Sequence, residues 1–71
     1  MKKRMRYYIR QKWAIIPLPV NADKPYHSAR HWCEQHFEKN NWAASLHGTA
    51  GDARFAFKRE QDATLFSLRW L

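Results

Sequence analysis

The chain has 71 residues, of which 45% are hydrophobic and 15% aromatic, so it is long enough for one small domain and too short for two. This aromatic content excludes simple disorder, and so small a core excludes a large enclosed active-site cavity. The 13 Lys+Arg residues against 6 Asp+Glu give a formal net charge of +7. We therefore expect a single basic domain over residues 1–71 that binds a polyanion or an acidic protein surface.

The cysteine usage and the apolar runs indicate the compartment. Cys33 is the only cysteine and cannot form an internal disulfide, which is typical of a reducing environment. The apolar stretch behind the basic N-terminus is short, and Pro17 and Pro19 interrupt it, so it fits neither a signal peptide nor a membrane span. We expect a cytoplasmic protein with no membrane partner.

The first predicted element is a strand from Met5 to about Ile15, which Pro17 and Pro19 end because proline cannot donate to a ladder. Apolar and cationic residues alternate with the period of two that marks a strand with one buried face. The inward positions are Met5, Tyr7, Ile9, Trp13 and Ile15, and the outward positions are Arg6, Tyr8, Arg10 and Lys12. Residues 1–4 form a mobile basic arm in this interpretation.

The second predicted element is a helix that begins near Asp23 and Pro25, a capping oxygen followed by a proline suited to a first turn. Its apolar positions recur with helical spacing. They are Tyr26, Ala29, Trp32, Cys33, His36 and Phe37. Asn40 and Asn41 are predicted to end it with a left-handed residue.

The remaining pattern predicts two strands and a helix. Trp42–His47 and the segment around Phe55 and Phe57 alternate as strands, joined by a glycine-containing loop. Residues 60–70 favour a helix with an acidic start, although residues 66–71 also fit a strand. The order β-α-β-β-α predicts an α+β, ferredoxin-like domain, in which two helices cover one face of a three-stranded antiparallel or mixed sheet and the last strand is missing.

The alternation of the third strand predicts which side chains meet solvent. If Phe55 and Phe57 faced outward, Arg54 and Lys58 would be buried at a cost of several kcal/mol for each unpaired charge. We therefore expect the phenylalanines under the helices. The first and third strands should be neighbours, so that cations from both crowd the outer face together with one aromatic. The candidate binding residues are Arg6, Tyr8, Arg10, Lys12, Arg54 and Lys58, with Lys2, Lys3 and Arg4 in the arm.

The segment Arg54-Phe-Ala-Phe-Lys-Arg-Glu-Gln-Asp-Ala63 resembles the third strand and following helix of RNA-recognition-motif domains, and Tyr8 stands where that family has a first-strand aromatic. The sequence departs from the family because Arg54 replaces a glycine and the fourth strand is absent. The family's aromatics face outward to stack on bases, so this role is not transferred to Phe55 or Phe57. The ending Phe-x-Phe…Asp-Ala-x-Leu-Phe-x-Leu-Arg-Trp, within the last seventeen residues, also resembles short α/β proteins encoded by bacteriophages. That resemblance implies the host cytoplasm as the compartment.

No motif predicts catalysis or a metal site. His27 and His31 are spaced as a ligand pair, but Cys33 and His36 lie toward the predicted core side of the helix, and a closed site would need His47 from elsewhere. Cys33 points into the core, where thiols are inert. We therefore expect no cofactor and no enzymatic activity.

Two hypotheses remain, and a basic surface serves both. In the first, the protein is a non-enzymatic module that binds nucleic-acid phosphates through the outer face of its sheet. In the second, it is a phage-type, anti-CRISPR-like inhibitor that binds an acidic surface of a host nucleic-acid-processing enzyme. An exposed sheet edge also offers a route to a homodimer.

Overall fold

The computed structural model describes residues 5–20, 25–47 and 52–71. It is a small α+β domain with a three-stranded antiparallel sheet and three helices. The elements are α1 (Met5–Arg10), β1 (Ala14–Pro19), α2 (Tyr26–His36), β2 (Trp42–His47), β3 (Asp52–Phe57) and α3 (Glu60–Trp70), with a 3-10 turn at Lys39–Asn41. The predicted basic arm, the Asp23 cap and the loop from Gly48 to Gly51 lie outside the described residues.

The sheet has β3 at its centre, with β1 and β2 on either side and both antiparallel to it. Phe55 lies opposite Ile16 of β1 and Ala44 of β2. β3 therefore has a strand from the N-terminal part of the chain as its neighbour, but this strand is Ala14–Pro19 and not the predicted one from Met5 to about Ile15. Because side chains alternate across a sheet, these three residues share one face, which we call the aromatic face.

The core lies between the aromatic face and the helices α2 and α3. Phe66 of α3 has its ring centroid 4.7 Å from that of Phe55 and 5.1 Å from that of Phe57. From α2, Tyr26 contacts Phe55 and Trp32 contacts Phe66. The three phenylalanines are fully buried, which confirms the predicted inward orientation of Phe55 and Phe57.

The predicted first strand is wrong, because residues 5–10 form helix α1. Met5, Tyr8 and Ile9 have i, i+3, i+4 spacing as well as a partial alternation, so the short segment fits both periods. The helix ends at Arg10, and Lys12 follows in the C-terminal turn with a left-handed φ of 62°. The Lys12 N–H donates to the Ile9 carbonyl at 3.1 Å and the Trp13 N–H to the Tyr8 carbonyl at 3.0 Å, as in a Schellman motif.

The two prolines predicted to end the first strand lie inside β1. Pro17 is opposite Arg54 and Pro19 is opposite Asp52. β1 is an edge strand, and an edge strand tolerates proline where the nitrogen points away from the sheet. The prediction was wrong because a proline ends a strand that has neighbours on both sides, whereas β1 has a neighbour on one side only within the described sheet, and the sequence pattern does not show this.

Helix α2 buries Ala29 and Cys33, as its predicted stripe requires, but it ends at His36. Phe37 follows in an extended conformation and donates its N–H to the Cys33 carbonyl. The asparagines predicted to end the helix instead lie in the 3-10 turn, and neither has a positive φ. Helix α3 has the predicted bounds, and its last turn is helical. Among the described helices, none has the length and apolar character needed to span a membrane.

Candidate nucleic-acid interface

Helix α1 covers the sheet on the side opposite α2 and α3. Ala56 alternates with Phe55 and Phe57, so its side chain lies on the other face, yet it is fully buried. Helix α1 contacts both β2 and β3, and Met5 is buried but lies outside the core formed with the other two helices. We infer that α1 roofs Ala56, and we call this side of the sheet the α1 face.

The cations of α1 point away from the sheet. Arg6 and Arg10 are exposed and one helical turn apart, so they share a side of the helix, whereas Met5 is buried against the strands. Like charges at this spacing destabilise a helix slightly, which a bound anion would relieve. Lys12 is also exposed, immediately after the helix. The prediction placed these three cations on a strand, and the structure instead presents them from a helix and its C-terminal turn.

Arg54 lies on the α1 face, because it shares its parity with Ala56. It is exposed and sits at the centre of the sheet between Pro17 on β1 and Ser45 on β2. The helix therefore covers one part of this face and leaves Arg54 accessible beyond it. Arg54 and the α1 cations are thus on the same side of the sheet, although they come from different kinds of element.

Lys58 is exposed just beyond the end of β3. Its backbone N–H donates to the Asn41 carbonyl at 2.9 Å, which extends the pairing of β2 and β3 by one step. The next residue, Arg59, is also exposed and stands at the N-terminus of α3. The sequence interpretation did not include Arg59 among the binding residues, although its position directly after Lys58 was a visible signal.

Tyr8 is not the free aromatic that the sequence interpretation expected. It is half-buried, and its ring centroid lies 4.6 Å from that of Trp13 and 5.2 Å from that of Tyr7. Tyr8 and Trp13 make the apolar contact that often accompanies a Schellman motif. Tyr7, which was predicted to face inward, is 41% exposed. A helical spacing in place of the strand alternation exchanges the predicted orientations of the two tyrosines.

The histidines and the cysteine that the sequence offered as possible metal ligands make ordinary structural contacts. Among the described residues, no three His, Cys, Asp or Glu side chains are grouped as metal ligands. His36 stacks on Trp32 and donates its Nδ1–H to the Trp32 carbonyl at 2.9 Å, while Gln35 donates to the His31 ring. Burial, reinforced by the charge of Glu34, raises the pKa of the Cys33 thiol to about 12, so it stays protonated at neutral pH.

A shallow groove of about 410 Å³ lies between α3 and β1, away from the α1 face. Its walls are mostly small or apolar, and they include Ala14, Ile16, Ala63 and Leu68. Among the described residues, Glu60 is the titratable group that lines it.

The predicted arm residues Lys2, Lys3 and Arg4 lie outside the described residues. In the described part of the chain, Arg6, Arg10 and Arg54 thus lie on one side of the sheet, and Lys12 is in the turn that follows α1. Comparison of the chain with protein-family models, with curated proteins and with solved structures finds no match.

Proposed function

We propose that the protein is a non-enzymatic module that binds nucleic-acid phosphates through the α1 face. The observation that carries the proposal is the position of exposed Arg6, Arg10 and Arg54 on one side of the sheet, presented by two elements that are distant in the sequence. The guanidinium group of arginine binds phosphate well, because two of its N–H groups can donate to two oxygens of one phosphate. Lys12 and Lys58 add further cations to this surface or its edge.

We also propose that the fold is a ferredoxin-like arrangement and that the protein is cytoplasmic. The strand order β1-β3-β2 with a helix between β1 and β2 supports a ferredoxin-like arrangement that lacks its last strand and carries α1 as an addition. The single cysteine supports a cytoplasmic setting. Helix α1 occupies part of the face on which related sheet-binding modules stack bases, so binding here relies on phosphates rather than on stacking.

Phosphate contacts carry no direct sequence information, so we expect weak sequence preference and strong salt dependence. If four to six phosphates are neutralised, the logarithm of the association constant should fall against the logarithm of salt concentration with a slope of about −3 to −5. The measurement is fluorescence anisotropy with labelled duplex DNA, single-stranded DNA and RNA between about 50 and 200 mM salt. An affinity that does not change with salt would refute the proposal.

Two variants and one matched control locate the surface. Replacing both Arg6 and Arg10 with Gln should reduce the salt slope by about 2, and Arg54→Gln should reduce it by about 1. Arg69→Gln is the control, because Arg69 belongs to α3 on the other side of the sheet, where it lies 4.5 Å from the Trp70 ring centroid. If Arg69→Gln weakens binding as much as Arg54→Gln does, the α1 face is not the site.

An acidic protein surface is the second candidate partner, as for an anti-CRISPR-like inhibitor of a host enzyme. The observation that favours it is the half-exposed Ile9 on α1, beside the cations. Its side chain has no charge and no hydrogen-bond donor with which to bind a phosphate. Apolar side chains ringed by charge are typical of protein interfaces. Ile9→Ser should leave nucleic-acid binding unchanged under the first proposal. Under the second, it should weaken one-to-one binding to the protein target while gel shifts of nucleic acid are absent.

A further inference from the structure

The hydrogen-bond pattern of the sheet determines which backbone groups β2 leaves unpaired. The Lys58 N–H donates to the Asn41 carbonyl, and these residues continue the register in which Trp42 lies opposite Phe57. In an antiparallel pair, directly bonded residues recur at every second position. On β2, Ala43 therefore directs both of its backbone groups toward β3, and so do Ser45 and His47.

The alternate residues of β2 direct their backbone groups away from the sheet. These residues are Trp42, Ala44 and Leu46, which together carry three N–H donors and three carbonyl acceptors. Within the described part of the chain, no backbone hydrogen bond reaches these groups from a neighbouring segment. Leu46 is also 51% exposed on this strand. Among the segments that the structure describes, β2 is thus an edge strand with a regular row of outward backbone groups and no strand beside it.

The opposite edge of the sheet is built differently. The same alternation turns the even-numbered residues of β1 toward β3 and leaves Ile15, Pro17 and Pro19 facing outward. Two of these three residues have no N–H, so β1 cannot support a full ladder. β2 has no proline and no Asp, Glu, Lys or Arg, and these are the features with which edge strands usually prevent pairing.

We propose that two copies of the chain pair through their β2 edges, antiparallel about a two-fold axis, and form a continuous six-stranded sheet. Outward residues must pair with outward residues, and the register that pairs all three of them places the axis at Ala44, opposite Ala44 of the second copy. Trp42 then lies opposite Leu46 of the second copy on the aromatic face. This register covers the exposed leucine with an aromatic side chain, a favourable cross-strand pair.

The absence of charge on β2 argues for a second copy as the occupant of this edge. β2 is uncharged in a chain of net charge +7, so two copies approach here without placing like charges opposite one another. A six-residue strand is about 20 Å long, so pairing of this one edge covers less surface than a standard stable interface. The dissociation constant should therefore lie between about 10 µM and 1 mM.

The dimer goes beyond the proposed function and does not depend on it. A two-fold axis perpendicular to a continuous sheet keeps the α1 faces of both copies on the same side. The two Arg54 side chains would then belong to one extended basic surface. Self-association is measured without nucleic acid, so failure of the dimer and failure of the phosphate-binding proposal give separate results.

The first test is sedimentation equilibrium of the whole chain in about 150 mM salt, where long-range repulsion is screened. Ala44→Pro removes an outward N–H and leaves the bonds to β3 intact, so the monomer should fold with an unchanged far-UV circular dichroism spectrum. The two symmetric hydrogen bonds at the axis are lost, and the dimer should weaken about tenfold or more. Ile15→Pro is the control, with the same change at the β1 edge and no expected effect on dimerisation.

The second test does not require a proline to be tolerated. Residues in a directly bonded antiparallel pair have Cα atoms about 5.5 Å apart, within the range of a disulfide. Ala44→Cys should therefore form a cross-linked dimer on mild oxidation, whereas Pro17→Cys at the other edge should not. The native thiol of Cys33 does not interfere, because it is buried.

Three results would overturn the proposal. The first is a monomer at all concentrations up to about 1 mM. The second is a folded Ala44→Pro variant that dimerises as tightly as the wild type. The third is cross-linking of Pro17→Cys without cross-linking of Ala44→Cys.

Discussion

Lys12 offers the sharpest test of the N-terminal structure. It is the non-glycine residue with a positive φ among those described, at 62°, and it lies in the turn that follows α1. Its own N–H donates to the Ile9 carbonyl, and the N–H of Trp13 donates to the Tyr8 carbonyl. Glycine is the residue that this position of a Schellman motif prefers, because a Cβ atom crowds the backbone in the left-handed region. We expect Lys12→Gly to stabilise the protein.

The magnitude follows from two opposing effects. Relief of the left-handed conformation contributes about 1–2 kcal/mol. The greater backbone freedom of glycine in the unfolded chain costs about 0.5–1 kcal/mol. The midpoints of the two ranges differ by about 0.75 kcal/mol, so the net gain in the free energy of unfolding should be about 0.5–1 kcal/mol. For a domain of this size, that raises Tm by about 2–8 °C.

Thermal and urea unfolding, followed by circular dichroism, measure this change. The control is Lys12→Ala, which removes the same charge but keeps the Cβ atom, so its stability should stay within about 0.5 kcal/mol of the wild type. If residue 12 belonged to a strand, as the alternation suggested, glycine would instead lower the stability by about 0.5–1 kcal/mol. A fall in Tm for the glycine variant relative to the alanine variant would refute the helical N-terminus.

Three further predictions test the core, the thiol and the helix surface. Phe66→Ala removes a fully buried ring that contacts Phe55, at an expected cost of about 3–5 kcal/mol in the free energy of unfolding. A core of this size seldom supplies more than about 3–5 kcal/mol in total, so circular dichroism at 25 °C should show a largely unfolded chain. Cys33 has a pKa raised to about 12 in the folded state from an ordinary value of 9.0, so its contribution to stability is complete below about pH 9 and is lost as the pH rises toward 12. Urea midpoints between pH 8 and 11 should therefore fall more steeply for the wild type than for Cys33→Ala, and parallel pH profiles would contradict the assignment. Arg30→Ala breaks an ion pair with Glu34 whose nearest atoms are 3.9 Å apart on an exposed helix surface, so stability should change by less than about 0.5 kcal/mol, and a larger loss would mean that Arg30 makes a contact that the structure does not contain.

The C-terminal half of the fold was predictable because its signals are local. Glu60 and Asp62 place negative charge in the first turn of α3, and Ala63, Phe66 and Trp70 lie on one side of it. Helical residues three or four apart in the chain are neighbours in space, so the pattern alone predicts both the helix and its buried side. The predicted bounds and the observed bounds therefore agree.

The N-terminal segment was not predictable by the same means. A helix of six residues is marginal on its own, and its pattern satisfied the strand period almost as well. The helix is stabilised by its contacts with the sheet, where α1 packs over the small and fully buried Ala56. That part of the sheet is formed by a strand more than forty residues away, so no local pattern contains it.

Charge, aromatic content and the burial of Phe55 and Phe57 follow from the amino-acid order alone, because strand parity and the cost of burying Arg54 and Lys58 leave one arrangement. The position of the N-terminal cations on a helix, the tolerance of Pro17 within a strand and the difference between the two sheet edges depend on which segments become neighbours. Those contacts join distant parts of the chain. Local periodicity constrains only residues a few positions apart, and it therefore leaves these features undetermined until the sheet assembles.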